Sequence, residues 1–181
     1  MISCLAPRLS AISFIVVLLA CGLADKRAVA RETLQGAPEY ALSISFDLAG
    51  QTMDGTARIS LPAGTPLKLA GGPLPISSAL LERTGQAPRI VRPTGDNAIV
   101  LPASDLEQVL FVTWTLTVPE HGAADNLIDP AGITLAGLWH PLPDRAMIFR
   151  LDALLPENFT AVSEAEESKH QSNGRGQNLF S

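Results

Sequence analysis

The segment Tyr40–Leu48 constrains the fold more than any other part of the chain, because large apolar and small or polar residues alternate there strictly. Its apolar members are Tyr40, Leu42, Ile44, Phe46 and Leu48. A period of two predicts a β-strand with one buried face and one solvated face. Burial of such side chains contributes about 1.5–3 kcal/mol each, and a shift of one residue would expose all of them. The register of this strand is therefore strongly specified.

Further strands follow along the first two thirds of the chain. A turn at Ala49–Gln51 leads into a return strand, Thr52–Leu61, which Pro62 ends. Later apolar or β-branched segments are Leu67–Leu69, Ile76–Glu82, Arg89–Arg92, Ala98–Leu101 and Val109–Val118. Glycine and proline turns separate them, and only Ser104–Glu107 is compatible with a turn of helix. We predict an all-β fold, an antiparallel sandwich or saddle with little or no helix outside the N-terminal segment.

The densest apolar run lies between Gly132 and Ser163. It predicts a short strand at Ile133–Leu135, a tight corner at Trp139–Asp144, and a long strand at Ala146–Leu155 that stops at Pro156. The composition becomes polar after Ser163, so residues 168–181 are predicted to be a polar tail. The apolar pair near the end of the tail is typical of the start of a further strand.

This pattern resembles the N-terminal β-domain of the membrane alanyl aminopeptidase family, the gluzincin zinc peptidases in which that domain precedes a thermolysin-like catalytic domain. The likeness rests on the Pro-x-x-Asp corner of Pro141 and Asp144, which follows a Gly-Ile-Thr-Leu strand and the aromatic Trp139. The opening hairpin, Tyr40–Leu61, and the strand end at Leu155–Pro156 extend the likeness over residues 38–167. The resemblance implies that the three corner residues are structural.

The same resemblance also sets limits on function. In the family, a Gln or Glu on the strand before the corner helps to bind the substrate's α-amine, and the corresponding segment Gly132–Gly137 has neither. The resemblance therefore implies no substrate-binding residue in this chain. It implies zinc only in a catalytic domain that this sequence lacks, so we expect no cofactor and no metal ion in the chain itself.

Candidate metal ligands are few. The histidines His121, His140 and His170 are too far apart for a His-Glu-x-x-His motif, in which two histidines share one helical face. His140 lies inside the corner and is predicted to be a packed or hydrogen-bonded structural residue. In the predicted loop 119–131, Asp125, Asn126 and Asp129 fit either a weak calcium site or side chains that bond their own backbone in turns, and the spacing favours turns. We predict no catalytic residue.

The first thirty residues predict export. Arg8 precedes an apolar run, and Ala28–Ala30 has the small-x-small pattern of a cleavage site, so residues 1–30 are interpreted as a signal peptide and residues 31–37 as a lead-in. A second interpretation makes Leu18–Cys21 a lipoprotein box with Cys21 lipidated, and a third keeps the segment as an anchor. Each would place the domain in the periplasm or outside the cell. Both cysteines, Cys4 and Cys21, lie here, so the mature chain has no disulfide framework.

The charge balance limits the partners. Eighteen acidic and 13 basic residues give a net charge of −5, and the basic residues are scattered, which disfavours nucleic acid. Contact with a membrane is expected only through the signal peptide or a lipid on Cys21. Three hypotheses remain open. The chain is a non-catalytic β-domain that packs on a peptidase catalytic domain in cis or in trans, or a stand-alone exported or lipid-anchored β-module that binds a protein or small ligand, or a nonfunctional remnant of the first.

Overall fold

Thirteen β-strands and no helix make up the part of the chain that the computed structural model describes, which is residues 36–119, 125–162, 169–172 and 177–180. The strands are β1 Glu39–Asp47, β2 Thr52–Leu61, β3 Leu67–Ala70, β4 Ile76–Arg83, β5 Arg89–Ile90, β6 Ile99–Leu101, β7 Gln108–Thr117, β8 Asn126–Asp129, β9 Gly132–Leu135, β10 Leu142–Pro143, β11 Ile148–Pro156, β12 His170–Ser172 and β13 Gln177–Phe180. The predicted all-β fold is confirmed.

The strands form three sheets. The main sheet has eight strands in the order β12-β13-β11-β1-β2-β7-β4-β5, the second has the order β10-β3-β6, and the third is the β8-β9 hairpin. Neighbouring strands are antiparallel, as predicted, except that β1 and β11 are parallel. A hairpin turn can only join antiparallel strands, whereas a strand that returns after a long connection is free to align in parallel. The long connection between β1 and β11 allows this pairing.

The opening hairpin has the register that the alternation predicts. Strands β1 and β2 pair from Glu39↔Ser60 to Asp47↔Thr52, and β7 pairs with the whole of β2. Tyr40, Leu42 and Ile44 are buried in the core, which confirms the buried face. The last two apolar residues of the series are only partly buried.

The hydrophobic core takes side chains from all three sheets. Leu42 and Val112 come from the main sheet, Leu69 and Ile99 from the second, and Ile128 from the β8-β9 hairpin. All five belong to one cluster of buried residues. Each sheet therefore buries one face against the others, as the layer architecture of a β-domain requires.

The large ring of Trp114 fits into this core because its cross-strand partner is a glycine. Trp114 on β7 pairs with Gly55 on β2, and its ring is almost completely buried. A Cβ atom added at Gly55 would lie 2.3 Å from two ring carbons of Trp114. The glycine thus leaves the space that the indole fills.

Several predicted boundaries and segments differ from the structure. Strand β8 lies inside the predicted loop 119–131, and β12 and β13 lie inside the predicted polar tail. Ser104–Glu107 forms no helix, and the corner contains the short strand β10. Strand β11 begins two residues later than predicted and ends at Pro156 itself. The short strand β10 is fixed by β3, a partner distant in sequence, and local patterns do not encode such a pairing.

Asn178 holds β13 against the sheet, although the segment around this strand is polar. Its side chain is buried, and Nδ2 donates to the carbonyl oxygens of Glu157 at 2.8 Å and Phe159 at 3.3 Å. The strand also pairs with the end of β11, from Ala153↔Phe180 to Pro156↔Gln177. A single buried amide therefore fixes the turn after β11 to the last described strand.

We expect Gly55→Ala to destabilise the protein, because the new methyl group must displace the Trp114 ring. Overpacking of this kind costs about 1–3 kcal/mol of unfolding free energy. Gly132→Ala is the matched control, since a Cβ there would meet nothing within 4 Å. Urea denaturation followed by Trp fluorescence measures both. Equal stability of the two variants would show that Trp114 does not depend on the glycine.

Candidate functional site

The corner, Trp139–Asp144, is joined to the second sheet through its backbone. Strand β10 within it pairs with β3, with Leu142 opposite Ala70 and Pro143 opposite Leu69. Asp144 extends the contact, because its amide donates to the Lys68 carbonyl at 2.9 Å and its carboxylate accepts from the Lys68 amide at 3.2 Å. Asp144 therefore closes the corner onto β3.

Two buried aromatic donors join the corner to the main sheet. The Tyr40 hydroxyl on β1 donates to the Pro141 carbonyl at 2.6 Å. The indole Nε1 of Trp114 on β7 donates to the Trp139 carbonyl at 2.8 Å. Both rings are 1% exposed, so each hydrogen bond satisfies a donor that would otherwise be buried without a partner. The corner is thus fixed to two strands of the main sheet.

His140 packs within an aromatic group at the corner. Its ring lies edge-on to Trp139 with centroids 4.4 Å apart, and its centroid is 5.6 Å from Tyr40 and 5.8 Å from Phe149. Nδ1 is 3.0 Å from the Pro141 carbonyl, which assigns the proton to that nitrogen as the donor. The prediction of a packed, hydrogen-bonded histidine is confirmed.

The protonation states at the corner follow from these contacts. Burial raises the pKa of Tyr40 and lowers the pKa of His140, although the Pro141 hydrogen bond partly opposes the shift for His140. For Asp144, burial acts to raise the pKa, but hydrogen bonds from the Lys68 amide and from Arg145 outweigh it and lower the pKa. At neutral pH the tyrosine and histidine are therefore neutral and the aspartate is charged.

The predicted structural residues Trp139, Pro141 and Asp144 thus come together, and each makes contacts that hold the corner in place. Two residues that hold it were not identified from the sequence, namely Tyr40 and Trp114. A general rule about buried aromatic residues could have identified both of them. A tyrosine or tryptophan on the buried face of a strand needs a hydrogen-bond partner for its polar atom, and a Pro-rich corner offers free carbonyl oxygens.

Two of the other candidate metal ligands, Asp129 and Asn126, accept hydrogen bonds from backbone amides. Asp129 Oδ1 accepts from the amides of Ala131 at 2.7 Å and Gly132 at 2.9 Å, and Asn126 Oδ1 accepts from the Gly137 amide at 3.0 Å. The Asp129 contacts agree with the turn interpretation, whereas Asn126 bonds an amide 11 residues further along the chain. Within the described ranges, no group of three or more His, Cys, Asp or Glu side chains could hold a metal ion. His121, Cys21 and the predicted signal peptide lie outside the described residues.

One depression lies beside β4 and β5, away from the corner. It has a volume of about 90 Å³ and is lined by Leu81, Arg83, Gln86, Ala87 and Arg89. Ligand pockets usually measure about 300–1,000 Å³. The guanidinium of Arg83 is also engaged, donating to the side-chain oxygen of the buried Gln108 at 2.9 and 3.1 Å. This depression is too small to hold a substrate-sized molecule.

Comparisons with known proteins agree with this geometry at the level of the fold. No family model matches the chain, and no curated protein sequence matches it. The structure is similar to the crystal structure of Legionella pneumophila aminopeptidase A in complex with aspartic acid, with a TM-score of 0.55 and 12% identity over 80% of this chain. The match covers 19% of that enzyme, so the chain spans about a fifth of its length. The chain therefore has a distantly aminopeptidase-related β-fold.

A separate observation concerns membranes. None of the residues that the structure describes belongs to a helix long and apolar enough to cross a lipid bilayer.

We expect Tyr40→Phe to lower the free energy of unfolding by about 1–2 kcal/mol, because the Pro141 carbonyl loses its shortest donor. Thr56→Val is the control, since the Thr56 hydroxyl is exposed and its contact with the Ser43 carbonyl is long, at 3.5 Å. Chemical denaturation of both variants and the parent measures the difference. A Tyr40→Phe variant as stable as the parent would contradict the role of this bond.

We also expect stability to fall as the pH drops from about 7.5 to 5. The pKa of His140 is lowered in the folded chain, so the unfolded chain binds the proton more readily below about pH 6.5. His140→Asn should remove this part of the decline, whereas His170→Asn, at an exposed position, should retain it. Urea denaturation at several pH values tests this. An identical decline in parent and His140→Asn would assign it to other groups.

Proposed function

We propose that this chain is the non-catalytic β-domain of an exported zinc aminopeptidase-like protein, and that it packs on a peptidase catalytic domain supplied in cis or in trans. The observation that carries the proposal is the fold likeness to one fifth of aminopeptidase A over four fifths of this chain. The corner of Trp139, Pro141 and Asp144 supports it, because these residues stabilise the domain and leave chemistry to another part of the enzyme.

The contacts of the corner support the non-catalytic part of the proposal. Tyr40 and Trp114 use their polar hydrogens in buried bonds to backbone carbonyls, and Asp144 is committed to the backbone of β3. A general acid or base must instead be within reach of a substrate proton, and its pKa must lie near the working pH. Tyr40 and Trp114 are buried, and hydrogen bonds lower the pKa of Asp144 away from neutral pH. Zinc belongs, in this proposal, to the partner catalytic domain.

Exposed apolar side chains support the packing part of the proposal. Leu142 on β10 is 49% exposed and Val100 on β6 is 59% exposed. They lie on the outer face of the second sheet, opposite the exposed partners Ala70 and Lys68. Exposed apolar residues grouped on one sheet face are typical of a surface that another domain covers. We propose that this face contacts the catalytic domain.

Export is part of the same proposal. Cleavage of residues 1–30 as a signal peptide, or lipidation of Cys21, would place the domain in the periplasm or outside the cell. Mass spectrometry of the protein from its native membrane and soluble fractions would distinguish the two routes.

We expect the purified protein neither to bind zinc stoichiometrically nor to hydrolyse L-alanine p-nitroanilide. Metal analysis after zinc loading, together with the chromogenic assay, tests both expectations. A variant with His140→Asn serves as the control for adventitious zinc on the corner. Steady hydrolysis that requires zinc and is lost on chelation would overturn the non-catalytic assignment.

The genomic DNA around this gene tests whether a catalytic domain is encoded that could pack on this chain. We expect a coding sequence for a His-Glu-x-x-His helix downstream of codon 181 in some frame, or in an adjacent gene. Its product, expressed separately, should bind this chain, and Leu142→Glu should weaken that binding at least tenfold, while Thr56→Val should not. Neighbouring genes without such a motif would contradict the proposal.

A further inference from the structure

The depression beside β4 and β5 brings two positive charges together. Leu81 and Arg83 on β4 and Arg89 on β5 line it, together with Gln86 and Ala87 of the turn between the strands. Leu81 pairs directly with Arg89, so Arg83, two residues further along β4, is the diagonal neighbour of Arg89 on the same face. Diagonal neighbours in a sheet are about 7–8 Å apart, which long side chains span. Two guanidinium groups therefore border one small concave surface.

A buried amide orients one of these two groups. Gln108 is 1% exposed, and its Oε1 accepts from Nε of Arg83 at 3.1 Å and from Nη2 of Arg83 at 2.9 Å. Gln108 Nε2 donates to the Pro102 carbonyl at 3.4 Å, which holds the amide in this orientation. A guanidinium has five N–H donors, so Arg83 keeps three others. The part of the chain that the structure describes supplies no acceptor for them.

The charges of Arg83 and Arg89 are not balanced by a carboxylate among the described residues, because neither arginine takes part in an ion pair there. Gln108 is neutral, so it orients Arg83 without balancing its charge. The adjacent Glu82 lies on the opposite face of β4, since successive residues of a strand alternate. The chain has a net charge of −5, so these arginines are not part of a generally basic protein. Neighbouring like charges repel, and an anion between them relieves the repulsion.

The size and lining of the depression define the anion. A volume of about 90 Å³ is small for an organic substrate, but it admits an ion of a few atoms, since one water molecule needs about 10–15 Å³. Leu81 is 2% exposed and supplies an apolar part of the lining, beside which charged hydrogen bonds are stronger than in bulk water. One dianion balances two guanidinium charges, and its several oxygens accept from both groups.

We propose that Arg83 and Arg89 bind a small tetrahedral dianion, sulfate or phosphate, in the depression beside β4 and β5. Arg83 supplies donors whose direction Gln108 fixes, and the exposed Arg89 supplies the second charge. A free ion and the phosphoryl group of a larger molecule share this chemistry. The binding is independent of the aminopeptidase-like assignment, since it requires only the β4-β5 hairpin and Gln108.

The test titrates sodium sulfate into the isotope-labelled full chain at constant ionic strength, with sodium chloride as the balancing salt. NMR signals of the arginine Nε–H groups report binding at each side chain. We expect the Arg83 and Arg89 signals to shift together and to saturate with one Kd. The monoanion acetate should bind more weakly than sulfate, because it balances only one of the two charges. O-phosphoserine and inorganic phosphate, compared in the same way, distinguish a phosphoryl group from a free ion.

Two single variants separate the site from general attraction between charges. We expect Arg89→Gln to weaken sulfate binding at least about tenfold, because it removes one charge and its hydrogen bonds to the ion. Arg92→Gln is the matched control, since Arg92 is also exposed, lies three residues away and does not line the depression. Arg89 makes no hydrogen bond to another described residue, so Arg89→Gln should leave the fold unchanged, which the backbone NMR spectrum checks.

Saturable sulfate binding that Arg89→Gln weakens and Arg92→Gln does not supports the proposal. Tighter binding of O-phosphoserine than of inorganic phosphate would then identify the phosphoryl group of a larger molecule as the ligand, and weaker binding would identify a free ion. Equal weakening by both variants would overturn the proposal, because the attraction would then come from overall charge. Shifts that rise linearly with sulfate, without saturation, would also overturn it.

Discussion

The hydrogen bond from the buried Tyr40 hydroxyl to the Pro141 carbonyl joins the first strand to a corner 101 residues further along the chain. The Trp114 indole makes a second such bond to the Trp139 carbonyl, and Asp144 closes the other end of the corner onto β3. The corner therefore connects the main sheet with the second sheet, and the core between them depends on it. The Tyr40 hydroxyl, the Trp114 indole and one carboxylate oxygen of Asp144 serve this structural role.

The fold was predictable wherever a local pattern determines it. The alternation from Tyr40 to Leu48 specified β1 and its buried face, and the turn residues after it specified the hairpin with β2. The parallel pairing of β1 with β11 was not predictable, because it depends on a connection of 100 residues, 48–147, and on no local signal. Strand β13 was indicated only by its apolar end, Leu179–Phe180, because the rest of the strand is polar and is held by the buried bonds of Asn178.

The candidate site was predictable only in part. The Pro-x-x-Asp pattern located Pro141 and Asp144, and the aromatic before it located Trp139. The donors that hold these residues lie on strands far away in sequence, and a tyrosine among four other apolar residues of one strand gives no indication of its partner. Gly55 shows the same limit, because its need to be a glycine arises from the Trp114 ring on the neighbouring strand.

A double-mutant cycle between Tyr40→Phe and Trp114→Phe tests most directly whether the corner is one structural unit held by two donors. The unfolding free energies of the parent, both single variants and the double variant are measured by urea denaturation. If either loss already loosens the corner, the double variant costs less than the two single losses together, by about 0.5 kcal/mol or more. Strictly additive losses would show that the two bonds act independently, and they would contradict this account.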